Sequence, residues 1–373
     1  MIDALGIIMT DSTDVKMHEL TTYRSLAALP VAGRYRIIDF ALSNMVNSGI
    51  INVGVTTQYN YQSLMDHLGT GKPWDLNRKN NGLFILPPFV NRDSVGVAKG
   101  TVDVLHNIAS YLRKSTQRYV ILSESNIICN IDYEKAFNFH KNTKADITMI
   151  YTVDKNSSNA VLSKNILLSV DSDQRVTDIE VYPKRARSKN KSMNMYVMEK
   201  SLLQHLIEDC VSHGEHDFVM DTLLKNVNEL GIYGYRFDGY TKKIDDIRTY
   251  FDNNMEMLLP EVRNELFGTD NRVFTKVKDQ VPTKYGSEAN VKNSMVADGC
   301  IIDGTVENSI LFRGVHIKKG SVIKDSIILQ DTEIYENCTL ENVVLDKEVI
   351  IKSGKSLVGQ RNFPVVISKA AVV

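Results

Sequence analysis

Aliphatic residues return at every sixth position through the last quarter of this chain, and that spacing leaves few folds open to it. Val291-Lys-Asn-Ser-Met-Val, Val306-Glu-Asn-Ser-Ile-Leu, Ile323-Lys-Asp-Ser-Ile-Ile and Leu340-Glu-Asn-Val-Val-Leu are four copies of one hexad, the last three starting 17 residues apart. A second hexad lies between them: Ile317-Lys-Lys-Gly-Ser-Val, Ile334-Tyr-Glu-Asn-Cys-Thr and Ile351-Lys-Ser-Gly-Lys-Ser. Each short strand turns one aliphatic side chain inward, and Gly, Asn or Asp takes the corners where the backbone must run left-handed. The pattern predicts a left-handed parallel β-helix of hexapeptide repeats over residues 288–373. A β-sandwich has similar strand spacing, but two tandem 17-residue periods argue against it.

The first two-thirds reads differently. Apolar strands (Ala4 to Met9, Ile51 to Thr56, Tyr119 to Ser123) alternate with amphipathic helices (Asp39 to Asn47, Ser63 to Leu68, Thr101 to Arg113, Tyr133 to Asn142). The rhythm predicts an α/β domain with a mostly parallel, Rossmann-like sheet covered by helices, with ligands at the carboxyl ends of its strands. The informative loops then follow Met9 and Ser123. A chain of 373 residues is long enough for two cores. The expected division is an α/β domain over 1–260, a linker over 261–287 carrying Gly268, Pro282 and Gly286, and the β-helix after it.

A formal net charge of −1 gives no pull toward nucleic acid or an anionic membrane. The one basic run, Lys184, Arg185, Arg187, Lys189 and Lys191, reads as a solvated loop, with a phosphate-facing or subunit-facing role as the alternative. The four cysteines, Cys129, Cys210, Cys300 and Cys338, form no metal-ligand spacing and suit a reducing compartment. No segment has the roughly 20 apolar residues of a membrane span, so a soluble, cytoplasmic protein is expected. His316 lies among the repeats. Some hexapeptide-repeat acyltransferases use a histidine as base, but no partner motif accompanies His316, which is expected at a corner or on the surface.

The segment Gly33-Arg-Tyr-Arg-Ile-Ile-Asp-Phe-Ala-Leu-Ser-Asn-Met-Val-Asn-Ser-Gly49 closely resembles the corresponding stretch of glucose-1-phosphate adenylyltransferases, also called ADP-glucose pyrophosphorylases. The resemblance continues through Thr57-Gln-Tyr, Ser63-Leu-Met-Asp-His-Leu, Gly100-Thr-Val-Asp-Val and Ser192-Met-Asn-Met-Tyr-Val. It reaches the repeats at Asn293-Ser and Asp298-Gly-Cys-Ile-Ile-Asp-Gly304, so it spans nearly the whole chain. It implies a nucleotidyltransferase domain followed by a β-helix, and a reaction joining ATP and glucose 1-phosphate into ADP-glucose.

Nucleotidyl transfer depends on positioning and on neutralising charge that develops on phosphate oxygens. The family's Gly-Gly-x-Gly-x-Arg-Leu loop matches Asp11-Ser-Thr-Asp-Val-Lys-Met17 here. Asp11, Ser12 and Asp14 replace the three glycines, and Lys16 replaces the arginine without its bidentate fork. A Cβ blocks the backbone geometry that glycine permits. A carboxylate some 5 Å from a phosphate repels it by about 3 kcal/mol at an effective dielectric near 20. Four more positions depart in the same direction. Leu26 in Arg24-Ser-Leu-Ala-Ala28 replaces a lysine, and Ser125 in Glu124-Ser-Asn126 replaces a metal-binding aspartate, with Glu124 one residue away as a possible substitute. Lys243 in Lys243-Ile-Asp-Asp246 replaces a second metal carboxylate, leaving Asp245 and Asp246 to cap the next helix. In Glu180-Val-Tyr-Pro183, Val181 stands for the sugar-phosphate lysine.

Glu180, Ser192, Tyr196 and Asp217 match the family's sugar contacts, and Arg24 and Arg36 match basic positions associated with anionic allosteric effectors. A preserved scaffold around degenerate catalytic positions resembles the D-type, non-catalytic regulatory subunit of this family. That resemblance implies a catalytic partner subunit, a heterotetramer and a sugar-phosphate effector. It also implies no cofactor in this chain, with Mg²⁺ confined to the partner. An active transferase using Glu124 and Lys16, an acyltransferase using His316 and a ligand-free structural partner are the competing readings.

Overall fold

A computed structural model describes residues 2–10, 17–88, 98–154, 164–268 and 270–373. The chain divides into two compact units: residues 1–13, 41–59 and 69–241 form one, and residues 14–40, 60–68 and 242–373 form the other.

The first unit is built on a sheet in which Ala4–Met9 lies at the centre. Its neighbours run in the order Val176–Val181, Ile166–Val170, Asn190–Glu199, Tyr119–Glu124, Ala4–Met9, Asn52–Thr56 and Gly82–Leu86. Ile147–Val153 pairs Asn190–Glu199, and Ile232–Arg236 pairs Ile147–Val153. The half formed by Tyr119–Glu124, Ala4–Met9, Asn52–Thr56 and Gly82–Leu86 is parallel throughout, as the strand–helix rhythm predicts. Asn190–Glu199 enters antiparallel to both of its long neighbours. Every residue of Ala4–Met9 is buried, the signature of a strand covered on both faces. Leu5, Ile7, Val120 and Leu122 share one apolar cluster with Val102, Leu105, Leu203 and Leu206 from the covering helices.

Helix Ile37–Asn47 stops where the sequence predicts, at Gly49 in the left-handed region (φ 77°). Its polar residues also fasten a neighbouring segment. Asn44 donates to the Cys129 carbonyl (3.1 Å) and accepts from the Ile131 amide (3.2 Å), while Ser48 Oγ accepts from the Tyr133 amide (2.8 Å). The helix expected from Thr101 to Arg113 is two, Thr101–Asn107 and Ala109–Lys114. Ile108 leaves helical geometry (φ −97°, ψ 9°) while its side chain stays in the core, so packing overrides local propensity there.

The second unit contains the β-helix, three parallel five-stranded sheets that place equivalent repeat positions in register. Val291, Val306, Ile323, Leu340 and Leu357 form one stacked column, and Ile302, Ile317, Ile334 and Ile351 another. Asn293, Asn308, Asp325 and Asn342 occupy one corner, all with positive φ. Gly314 sits at another corner (φ 69°), where a Cβ would lie 2.3 Å from Asp331 Oδ1 one coil later. His316 is half-buried on strand His316–Ile317, between Ile301 and Glu333 in register, and not at a corner.

The 261–287 stretch holds helix Pro260–Phe267 and strand Lys284–Tyr285, which is already the first rung of one β-helix sheet. The unit also takes in residues 17–40, far from the repeats in sequence. Arg24 forms a buried ion pair with Asp346, and the Tyr250 hydroxyl donates to the Pro30 carbonyl (2.7 Å). Asn254 Oδ1 accepts from the Ala32 amide (3.0 Å), and the Tyr35 ring stacks on Phe267 at 5.0 Å.

An inward column should be more sensitive than the outer face beside it. Ile323→Ala, at a fully buried position, should cost about 2–5 kcal/mol. Lys324→Ala, on the exposed next residue, should stay within about 0.5 kcal/mol. Urea unfolding of both variants checks the difference.

Candidate functional site

In the first unit the central strands Ala4–Met9 and Tyr119–Glu124 end side by side. Met9 lies opposite Glu124, and the Ser125 amide donates to the Met9 carbonyl (2.9 Å). Ser125 and Asn126 are both buried at this carboxyl edge. Neither atom of the Asn126 amide has a hydrogen-bond partner among the described residues, a rare state for a buried amide. Asp11, Ser12, Asp14 and Lys16 lie outside the described residues.

A bulge in strand Asn190–Glu199, between Ser192 and Met195, brings the next group inward. Asn194 takes a left-handed conformation (φ 50°), and its amide donates to Ser192 Oγ (3.1 Å). Tyr196, 2% exposed, sets its ring edge-on to Phe218 at 5.6 Å, and its hydroxyl bonds to Ser192. Burial drives the Tyr196 phenol well above its usual pKa. The charges of Glu124 and Asp217 push the same way. Asp217 itself caps helix Phe218–Leu224, accepting from the Val219 and Met220 amides at 2.8 Å each. Glu124 and Asp217 therefore both lie within electrostatic reach of Tyr196.

Glu180 is held differently. Its carboxylate takes Arg187 Nε at 2.7 Å, the Arg187 amide at 3.1 Å and the Ser188 amide at 3.3 Å. Burial alone would raise its pKa, but the bonds from Arg187 and Ser188 outweigh burial and hold it below the ordinary carboxylate range. Arg187 thus leaves the basic run to latch a strand. Val181 packs against the apolar cluster beneath, while Tyr182, which sequence reasoning missed, is exposed with φ 46° and bears electrostatically on Tyr196.

In the second unit, Leu26 is buried in a short 3₁₀ turn. Lys243 lies 3.4 Å from Asp245 Oδ1. Asp246, not Asp245, caps helix Ile247–Glu256, in a reciprocal box with Thr249. Ser125 carries a hydroxyl and Lys243 an ammonium, and neither is the carboxylate ligand that Mg²⁺ prefers.

A second constellation lies wholly within this unit. A cavity of about 310 Å³ is lined by Arg34, Arg36, Lys276, Lys278, Arg313 and Lys347, against three carboxylates, Asp66, Asp331 and Glu348. Arg36 donates to the Ser63 carbonyl (2.7 Å) and Oγ (3.0 Å), and burial lowers its pKa to about 10. Arg313 is 6% exposed, and its guanidinium has no partner among the described residues, Nε being fully shielded. Burial, then repulsion from Arg34, lowers its pKa. His67 on the same wall is paired to Asp39, and burial lowers its pKa against that partner's pull. Arg24 does not line the cavity. It is bound to Asp346, and its Nη1 has no hydrogen-bond partner among the described residues. Unpartnered buried cations are costly, and an anion is what would neutralise them. Arg313 and Lys347 sit in the repeats, where isolated basic residues carry no sequence signal.

A mononucleotide-type sheet followed by a hexapeptide β-helix defines a class. The nucleotidyl transferase family model matches residues 5–256, and the GlmU-like, C-terminal hexapeptide model matches 278–362. The chain is 36% identical to the glycogen biosynthesis protein GlgD of Bacillus subtilis, over 99% of this chain and 96% of that one. It is 39% identical to GlgD of Geobacillus stearothermophilus, over 86% and 82%. It is 30% identical to the glucose-1-phosphate adenylyltransferase of Clostridium perfringens, over 100% and 94%. The chain belongs to the glucose-1-phosphate adenylyltransferase family that includes GlgD.

The Glu180 latch has a pH signature. A carboxyl held below its unfolded value adds stability above that value, about 4.3, and loses the contribution as pH falls through the lowered folded value. Arg187→Ala should raise the Glu180 pKa. Its urea midpoint should trail the wild type at pH 7 and approach it below about pH 4. An equal gap at both pH values would contradict the latch.

Proposed function

We propose that this chain is a regulatory, non-catalytic subunit of a bacterial glucose-1-phosphate adenylyltransferase in cytoplasmic glycogen biosynthesis. It would act beside a catalytic subunit that converts ATP and glucose 1-phosphate into ADP-glucose and pyrophosphate. The observation that carries this reading is a contrast between two sites. Where the family's chemistry asks for metal carboxylates and a sugar-phosphate lysine, the chain has buried Ser125, Lys243 beside Asp245, and Val181 in apolar packing. The basic cavity around Arg36 nonetheless keeps six cationic side chains.

In this reading Mg²⁺ and turnover belong to the partner subunit, and the two chains form a heterotetramer. The basic cavity receives an anionic effector such as a sugar phosphate, with Arg36 in its wall and Arg24 bound to Asp346. Ser192, Tyr196, Asp217 and Glu180 are the remnant of a sugar-phosphate pocket. Regulation follows if the assembly has two states and the effector-loaded chain favours one of them.

The test is reconstitution. The purified chain with ATP, Mg²⁺ and glucose 1-phosphate should release no pyrophosphate above background. Mixed with the catalytic subunit of the same organism, it should co-elute on a sizing column and change the rate of ADP-glucose formation. Pyrophosphate release by the chain alone, or separate elution with an unchanged rate, sinks the proposal.

A further inference from the structure

We propose that the basic cavity takes up its anion together with a proton, and that Lys347 is the group that receives it. The inference rests on the anion-site reading of this cavity and adds a regulation to it.

Lys347 is half-buried, and among the described residues its ammonium has neither a hydrogen-bond nor an ion-pair partner. The carboxylate beside it in sequence cannot serve. Asp346 accepts from Arg24 Nη2 at both oxygens (2.8 and 2.9 Å), and its Oδ1 also takes the backbone amide of Lys347 (2.7 Å). The charged groups facing Lys347 are Arg24 and Arg36 from the 17–40 segment, Lys278 from the stretch before the β-helix, and Asp346 from its own coil. The rest of the cavity wall adds Arg34, Lys276 and Arg313, with His67 and Asp66 on helix Gln62–Leu68 and Asp331 and Glu348 at the β-helix corners. Glu348 faces Lys369 (3.4 Å), and the Asp66 carbonyl accepts from Lys276.

An amine in such surroundings gives up its proton far below the usual lysine range. Burial comes first, then repulsion by Arg36 and Arg24, and together they bring Lys347 to about 7. A dianion among the same guanidiniums reverses the balance, because it favours every positive charge within reach. Near neutral pH, anion binding and protonation of Lys347 therefore favour each other, and each must strengthen the other to the same degree. His67, the other group able to titrate nearby, is already committed to Asp39.

Sulfate is the suitable probe, since it carries no titratable proton near neutral pH and any proton taken up is the protein's. Calorimetric titration of the full chain with sodium sulfate, in buffers of different ionisation enthalpy, should show close to one proton taken up per sulfate at about pH 8 and little at about pH 6. The apparent affinity should fall about tenfold between those conditions. Lys347→Arg, which keeps its charge, should bind sulfate with a pH change of less than about twofold and little uptake. Lys347→Met should also lose the uptake. Sulfate binding without proton uptake, or uptake that survives in Lys347→Arg, overturns the proton coupling and leaves the anion site standing. Absence of sulfate binding at every pH overturns the anion-site reading and the coupling together.

Discussion

Arg24 and Asp346 are 322 residues apart, and both are buried where they meet. Taking two charges out of water costs several kcal/mol each, so such a pair survives only where the fold holds both partners in place. Here the β-helix supplies the rigid partner. Asp346 follows an inward strand, and its coil is pinned above and below by parallel pairing. The N-terminal segment is then laid along the repeats. Pro30 and Ala32 are fastened to helix Ile247–Glu256, and Gly33 takes a left-handed turn where a Cβ would come within 3.7 Å of the Leu311 carbonyl. Arg34 and Arg36 follow directly from that turn, so the geometry of the basic cavity descends from one buried ion pair.

That cavity gathers cations that the fold does not neutralise. Asp346 is spent on Arg24, and Asp39 is spent on His67 and the Arg36 amide. Among the described residues Arg313 and Lys347 remain without acceptors, which is costly in the free chain and is relieved when an anion completes the set. The first unit shows the opposite arrangement. Its Glu180 and Asp217 carboxylates are consumed by Arg187 and by a helix N-terminus, so both are bound into the structure.

Much of the scaffold was legible because its signals are periodic. Strand Ala4–Met9 has the limits its apolar run predicts, and the 17-residue hexads stack in register as their spacing requires. Errors arose where a local signal competed with packing. Nothing in Thr101 to Arg113 marks a break, yet Ile108 leaves the helix to fill the core. Lys243-Ile-Asp-Asp246 offers two capping aspartates; Asp246 is the one that accepts from the Thr249 amide, while Asp245 lies 3.4 Å from Lys243. The basic run around Arg187 is largely exposed, as its composition predicts, and what the sequence could not show is that Arg187 also reaches Glu180 and Asp178 on the neighbouring strand.

The sequence alone determined the two architectures, since periods of six and of alternating strand and helix are properties of neighbouring residues. It also carries the residues, Ser125, Lys243 and Val181 among them, that the resemblance to the family singles out. Only the tertiary structure decided that residues 17–40 belong with the β-helix, that Arg24 is buried structural support while Arg36 faces a cavity, and that Arg313 and Lys347 join it. Electrostatic neighbourhoods are made by residues hundreds of positions apart, and neither pattern nor propensity carries information over that distance.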